Sequence, residues 1–267
     1  MIVRAYGWNA WGIHQWDLGN IGEAFRYLSL ANTIDLEEAA RGGEDPIRRD
    51  MRMLWPLVYA LLATLHGDVA AAETMLAGLE PPGDDDLIAV SAWAAFSVLI
   101  AAVAGDTARA RRAAERGLAA DPENGYAFFG SFHRLGRCWA SALTGDDPAG
   151  AAAEAQTLIV TALVDPPRSG LTTWYALLAE MLLAAGRPTE AAAVLDRSEA
   201  FLDTDGQRYA EGLVLVMRAH ILDALGESTE SIRAAAERAR RVSIEREAHL
   251  FAQRADALLV DLASRSR

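Results

Sequence analysis

The chain interrupts its helix-forming sequence six times in the same way. The stretches are "WDLGNIGEAF", "TLHGDVAAAE", "AVAGDTARAR", "ALTGDDPAGA", "LAAGRPTEAA" and "DALGESTESI". Their glycines, Gly19, Gly67, Gly105, Gly145, Gly186 and Gly226, are separated by 48, 38, 40, 41 and 40 residues. Five residues beyond each stands a small residue: Ala24, Ala72, Ala110, Gly150, Ala191 or Ser231. Gly ends a helix by adopting the left-handed conformation at little steric cost. The Asp, Asn or Pro that follows suits a turn or a helix start. A small residue one turn into the next helix lets paired backbones approach. The pattern therefore reads as helical hairpins that bury their apolar faces by stacking on neighbours.

This register predicts thirteen helices. Six hairpins span about 3–40, 48–79, 86–120, 125–163, 170–202 and 207–243, and a capping helix spans about 246–264. "RGGEDP", "EPPGDDD", "DPENG", "VDPPRSG" and "DTDG" read as loops between hairpins. No composition shift marks a second domain, so residues 1–267 are expected to form one. Ala supplies much of the 52% hydrophobic content and is the strongest helix former. With β-branched runs scarce, the class is all-α. No apolar run reads as a bilayer span, "SVLIAAVAG" being too short. "MIVRAYGWNAWGIHQWD" lacks the build of a signal peptide. The single Cys138 excludes an internal disulfide, reads as a small buried apolar residue and fits a reducing cytoplasm. A net charge of −12 argues against general nucleic-acid binding.

The segment "AGDTARARRAAERGLAADPENGYA" (104–127) resembles the tetratricopeptide repeat, down to Asp121-Pro122. The period of about 40 is longer than that family's. Residues 172–227 are similar to the C-terminal repeat arrays of bacterial LuxR/MalT-type transcriptional regulators and cyclase-linked signal-transduction ATPases. The likeness lies in a leucine-rich helix ending in Ala-Gly-Arg, then Gly206, Arg208, Tyr209 and Glu211. It implies a right-handed superhelix whose concave groove binds a protein partner or small-molecule effector. It also implies an ATPase or DNA-binding domain in the same system. The chain itself has no Lys, hence no P-loop, and no helix-turn-helix is read at its end.

A search for chemistry is negative. His14, His66, His133, His220 and His249 form no H-E-x-x-H pair and no zinc-spaced cluster with Cys138. Glu245 and His249, four residues apart, read as a surface pair on one helix. The acidic run Asp84–Asp86 reads as helix capping. Arg233, Arg238, Arg240, Arg241 and Arg246 read as a solvated face balanced by Glu237, Glu245 and Glu247. No catalytic residue, cofactor or metal is expected. The seven Trp residues, Trp8, Trp11, Trp16, Trp55, Trp93, Trp139 and Trp174, all fall on the first helix of a hairpin. That helix lines the groove in tetratricopeptide arrays. The resemblance therefore places Asn9, Trp16, Trp139, Glu180 and His220 in the groove, with aromatics gripping the ligand. The expected function is a non-enzymatic binding module in cytoplasmic signalling or transcription. The alternatives are an all-α enzyme with a Trp-lined pocket and an architectural self-association array.

Overall fold

The computed structural model describes residues 2–33, 46–83, 85–123, 125–164, 168–204 and 207–265. Among these residues there are thirteen α-helices and no strand. In chain order they are α1 (Ile2–Asp17), α2 (Ile21–Asn32), α3 (Pro46–His66), α4 (Val69–Leu79), α5 (Leu87–Ala104), α6 (Thr107–Ala120) and α7 (Ala127–Thr144). Then follow α8 (Pro148–Ala162), α9 (Leu171–Ala184), α10 (Pro188–Thr204), α11 (Glu211–Ala224), α12 (Thr229–Glu245) and α13 (His249–Arg265). A single 3-10 turn, Arg208–Ala210, leads into α11. The chain is all-α. The end expected for the second helix, up to about residue 40, lies outside the described residues, as do Asp84 and Gly206.

All six turn glycines are left-handed, with φ between +71° and +102°. Each closes its helix with the same paired backbone bonds. At Gly105 these run from its N–H to Ala102 O and from Asp106 N–H to Ala101 O. Asp68, Asp106, Asp147 and Ser228 then cap the second helices, each accepting from the backbone N–H three residues on. The small-residue register holds at four turns, where Ala24, Ala72, Ala110 and Ala191 are fully buried. At the other two, Gly150 and Ser231 are exposed. There the turn carries one extra residue before the cap, so the fourth helical position moves on to Ala151 and Ile232. Gly150 instead makes room for the Asp147 carboxylate.

Helix α5 occupies the middle of the packing. It contacts α3, α4, α6 and α7, and twelve of its eighteen residues are buried. It corrects one expectation from the sequence. Leu87–Ala104 is, by length and a mean hydropathy of 2.3, apolar enough to cross a membrane. Here the apolarity is absorbed by the core, with Ser91 and Ser97 buried alongside. One large apolar cluster runs from Trp16 to Ala255, and a small satellite around Ile232 and Leu258 joins α11, α12 and α13.

The chain also meets itself. Helix α13 packs on α3, and the turn at Arg208 packs on α1. The last hairpin thus touches the first.

Candidate binding site at the joint between the chain ends

The joint is built on Arg246 and Glu247, which separate α12 from α13. Arg246 Nη1 donates to Leu18 O at 2.7 Å, and its Nη2 pairs with Glu211 at 3.0 Å. Its carbonyl accepts from Gly22 N–H at 3.2 Å. Two glycines permit this approach. A Cβ at Gly19 would lie 2.7 Å from Arg208 O, and one at Gly22 would overlap the Glu247 carboxylate. Glu247 itself is left-handed, at φ 56°, an uncommon state for a residue with a side chain. That residue ends the α12 register, so Glu245 and His249 do not share a helix face. Arg246 likewise is no part of a solvated basic face: only about a quarter of its side chain is exposed. Arg240 does fit that reading, pairing with Asp256 at 2.6 Å with both side chains about half exposed.

Beside the joint lies an aromatic cavity. Trp16 forms one wall, Phe96 and Leu99 of α5 another, and Phe128, Phe129 and Phe132 of α7 a third. Ser169 and Gly170, at the start of α9, complete it. The rings continue outward: Phe132 meets Trp174 edge-on at 5.6 Å, and Trp16 lies 4.5 Å from Tyr209. Gly170 is a seventh left-handed glycine, and a Cβ there would press on the Phe132 ring at 2.9 Å. Its N–H donates to Gln207 Oε1 at 3.0 Å, and Gln207 Nε2 donates to Arg168 O at 3.1 Å. The wall is thereby tied to the segment that carries Tyr209.

Tyr209 is 3% exposed, and burial pushes its phenol pKa up to about 12. Thr173, Ser169 and Gly170 lie nearest its hydroxyl, yet none is aligned for a hydrogen bond. Trp16 Nε1 and Thr173 Oγ1 are also buried without a hydrogen-bond partner among the described residues. Buried polar groups in this state cost about 1–3 kcal/mol each. The cavity has a volume of about 40 Å³. A dry cavity that encloses benzene is about 150 Å³. This cavity therefore admits a small apolar end of a ligand, with the remainder outside.

The sequence-derived groove residues fall into three places. Trp139, Glu180 and His220 come together: Trp139 Nε1 donates to Glu180 Oε2 at 2.8 Å, and Arg254 of α13 donates to Glu180 Oε1 at 2.8 Å. Arg254 also reaches Val103 O at 3.2 Å. Burial lowers the His220 pKa, and the Arg254 charge lowers it further against Glu180. Trp139 is fully buried, so α13 and Glu180 already occupy its surroundings. Trp16 lies apart, in the aromatic cavity. Asn9, two turns earlier on α1, is 8% exposed, and its Nδ2 has no hydrogen-bond partner among the described residues. All seven Trp residues do lie on first helices of pairs. Trp93 serves packing: its Nε1 donates to Leu76 O at 2.9 Å, under the Arg116 guanidinium. Cys138 is buried, which raises its thiol to about 12, with the Glu154 charge adding to the rise.

Sequence reading missed the cavity and Arg254. The run "FFGSF", with Phe128, Phe129 and Phe132 on one helix face, was the available signal. Comparison with family models, curated proteins and solved structures found no match.

Proposed function

We propose that this chain is a non-enzymatic binding module. It is a right-handed superhelical array of about six hairpins that serves bacterial cytoplasmic signalling or transcriptional regulation. It captures the small apolar end of a peptide or small-molecule effector in the cavity beside Trp16. The supporting observation is the meeting there of aromatic walls from three helices with Trp16, whose buried Nε1 has no hydrogen-bond partner among the described residues. Apolar surface supplies affinity, and a few placed polar groups supply orientation. Because the cavity adjoins the joint of Arg208, Glu211 and Arg246, occupancy would bias how tightly the ends meet. A partner ATPase or DNA-binding domain would sense that bias.

A screen of small apolar and aromatic fragments, read by Trp fluorescence and NMR, tests this. Ala95 lines the cavity, so Ala95→Leu fills it without deleting a side-chain atom. The expected result is saturable binding to the wild type and loss of at least about tenfold in the folded Ala95→Leu variant. Equal binding by both would refute the assignment.

A further inference from the structure

The joint carries a second group of side chains with its own chemistry. His66 ends α3, while Glu247 and His249 flank the start of α13. One ligand atom of each lies within 4.8 Å of those of the other two. His66 Nε2 is 3.7 Å from Glu247 Oε2, and the two imidazole rings lie 5.1 Å apart. All three side chains are partly exposed, so an ion can reach them.

Four features hold this triad in place. The Phe25 ring stacks on His66 at 4.6 Å and on Tyr59 at 5.2 Å, which fixes the plane of the imidazole. Gly67 has no Cβ where His249 comes closest, at 3.0 Å. Gly22 leaves room for the Glu247 carboxylate. The left-handed backbone of Glu247 separates it from α12 and turns it toward His66. A strained conformation of this kind persists only where the surroundings enforce it.

We propose that His66, Glu247 and His249 form a site for a divalent transition-metal ion of the zinc type, bridging the two ends of the chain. Two imidazoles and one carboxylate suit such an ion and leave a position open for water or a fourth ligand. Tetrahedral ligation at about 2.1 Å places ligand atoms about 3.4 Å apart, so side-chain rotations of about 1 Å complete the set. Arg26 Nη1 now lies 3.0 and 3.1 Å from the two Glu247 oxygens. Arg26 can retain one oxygen while the ion takes the other. The ligands come from residues more than 180 positions apart, so the ion can be bound fully only when the ends meet.

The test is titration with Zn²⁺ and, separately, Co²⁺, followed by calorimetry, thermal unfolding and the visible spectrum of the cobalt form. One ion per chain is expected. At a hundredfold excess over Kd the melting temperature should rise by about 5 °C or more. Loss of a mere supporting partner in a metal site costs 10–100-fold in affinity, so His66→Gln and His249→Gln should each cost at least about tenfold. His14→Gln, on α1, should bind as wild type. A low-symmetry cobalt spectrum lost in Glu247→Gln would support the carboxylate as a ligand. No saturable binding to the wild type, or equal binding by the His66 and His249 variants, would overturn the site. The Ala95→Leu result is independent of either outcome.

Discussion

Replacing Arg246 with Met removes the charge that holds the chain ends together while keeping most of the apolar stem. Arg246 donates to Leu18 O at 2.7 Å and pairs with Glu211 at 3.0 Å, and the two side chains are only 26% and 16% exposed. A hydrogen bond from a charged donor contributes about 1.5–3 kcal/mol when shielded from water, but Leu18 is exposed, so this one contributes nearer 1 kcal/mol. Glu211 keeps a second cation, Arg208, at 3.5 Å, so its loss is nearer 1 kcal/mol than the full cost of an orphaned charge. The expected destabilisation is therefore about 2 kcal/mol in urea, or a fall of about 4–8 °C in melting temperature. Arg240→Met provides the contrast. Its pair with Asp256 is about half exposed on both sides, and such pairs contribute about 0–1 kcal/mol. Amide exchange should quicken selectively in α1, α2 and the 208–210 turn of the Arg246 variant. A loss below about 0.5 kcal/mol, or exchange unchanged in α1 and α2, would refute the view that Arg246 fastens the ends.

Stability should fall on acidification through His133. That side chain is fully buried, its Nε2 lies 2.9 Å from Ser91 O, and burial lowers its pKa against the weaker opposing effects of that bond and of the Asp121 charge. Above the unfolded pKa neither state is protonated and there is no effect; below it the unfolded chain takes up a proton that the native state resists. The slope reaches at most about 1.4 kcal/mol per pH unit, and urea titrations from pH 7 to pH 5 should show it diminished in His133→Gln. Trp139→Phe should cost about 1–3 kcal/mol in urea, because it leaves Glu180, 16% exposed, with Arg254 alone; a neutral substitution would show that the indole bond contributes nothing.

The turns were readable because their physics is local. A left-handed Gly is decided within a few residues, and Gly19 through Gly226 all adopt that conformation, four of them followed by a capping Asp or Ser. The small-residue spacing was readable only in part. One extra residue before Asp147 and Ser228 moves the packed position by one, and composition alone conceals that shift. The sites depend on distant pairings. Leu18 and Arg246 are 228 residues apart, and Trp16 meets Tyr209 across nearly as much chain. The single backbone angle at Glu247 decided the fate of Glu245 and His249, and nothing in "IEREAH" announces it. Burial of α5 likewise depended on neighbours on every side, so its apolar run carried two meanings until packing chose one.

Contact between the first and last hairpins restricts how such a chain can change its length. An open stack of hairpins gains or loses a unit at little expense, since each unit touches only its neighbours. Here, deleting one stretch of about forty residues between turn glycines would carry Arg246 away from Leu18 and His249 away from His66. The length of chain between the two sides of the joint is thereby tied to its geometry, so insertions at exposed loops should disturb it less than the gain or loss of a helix pair.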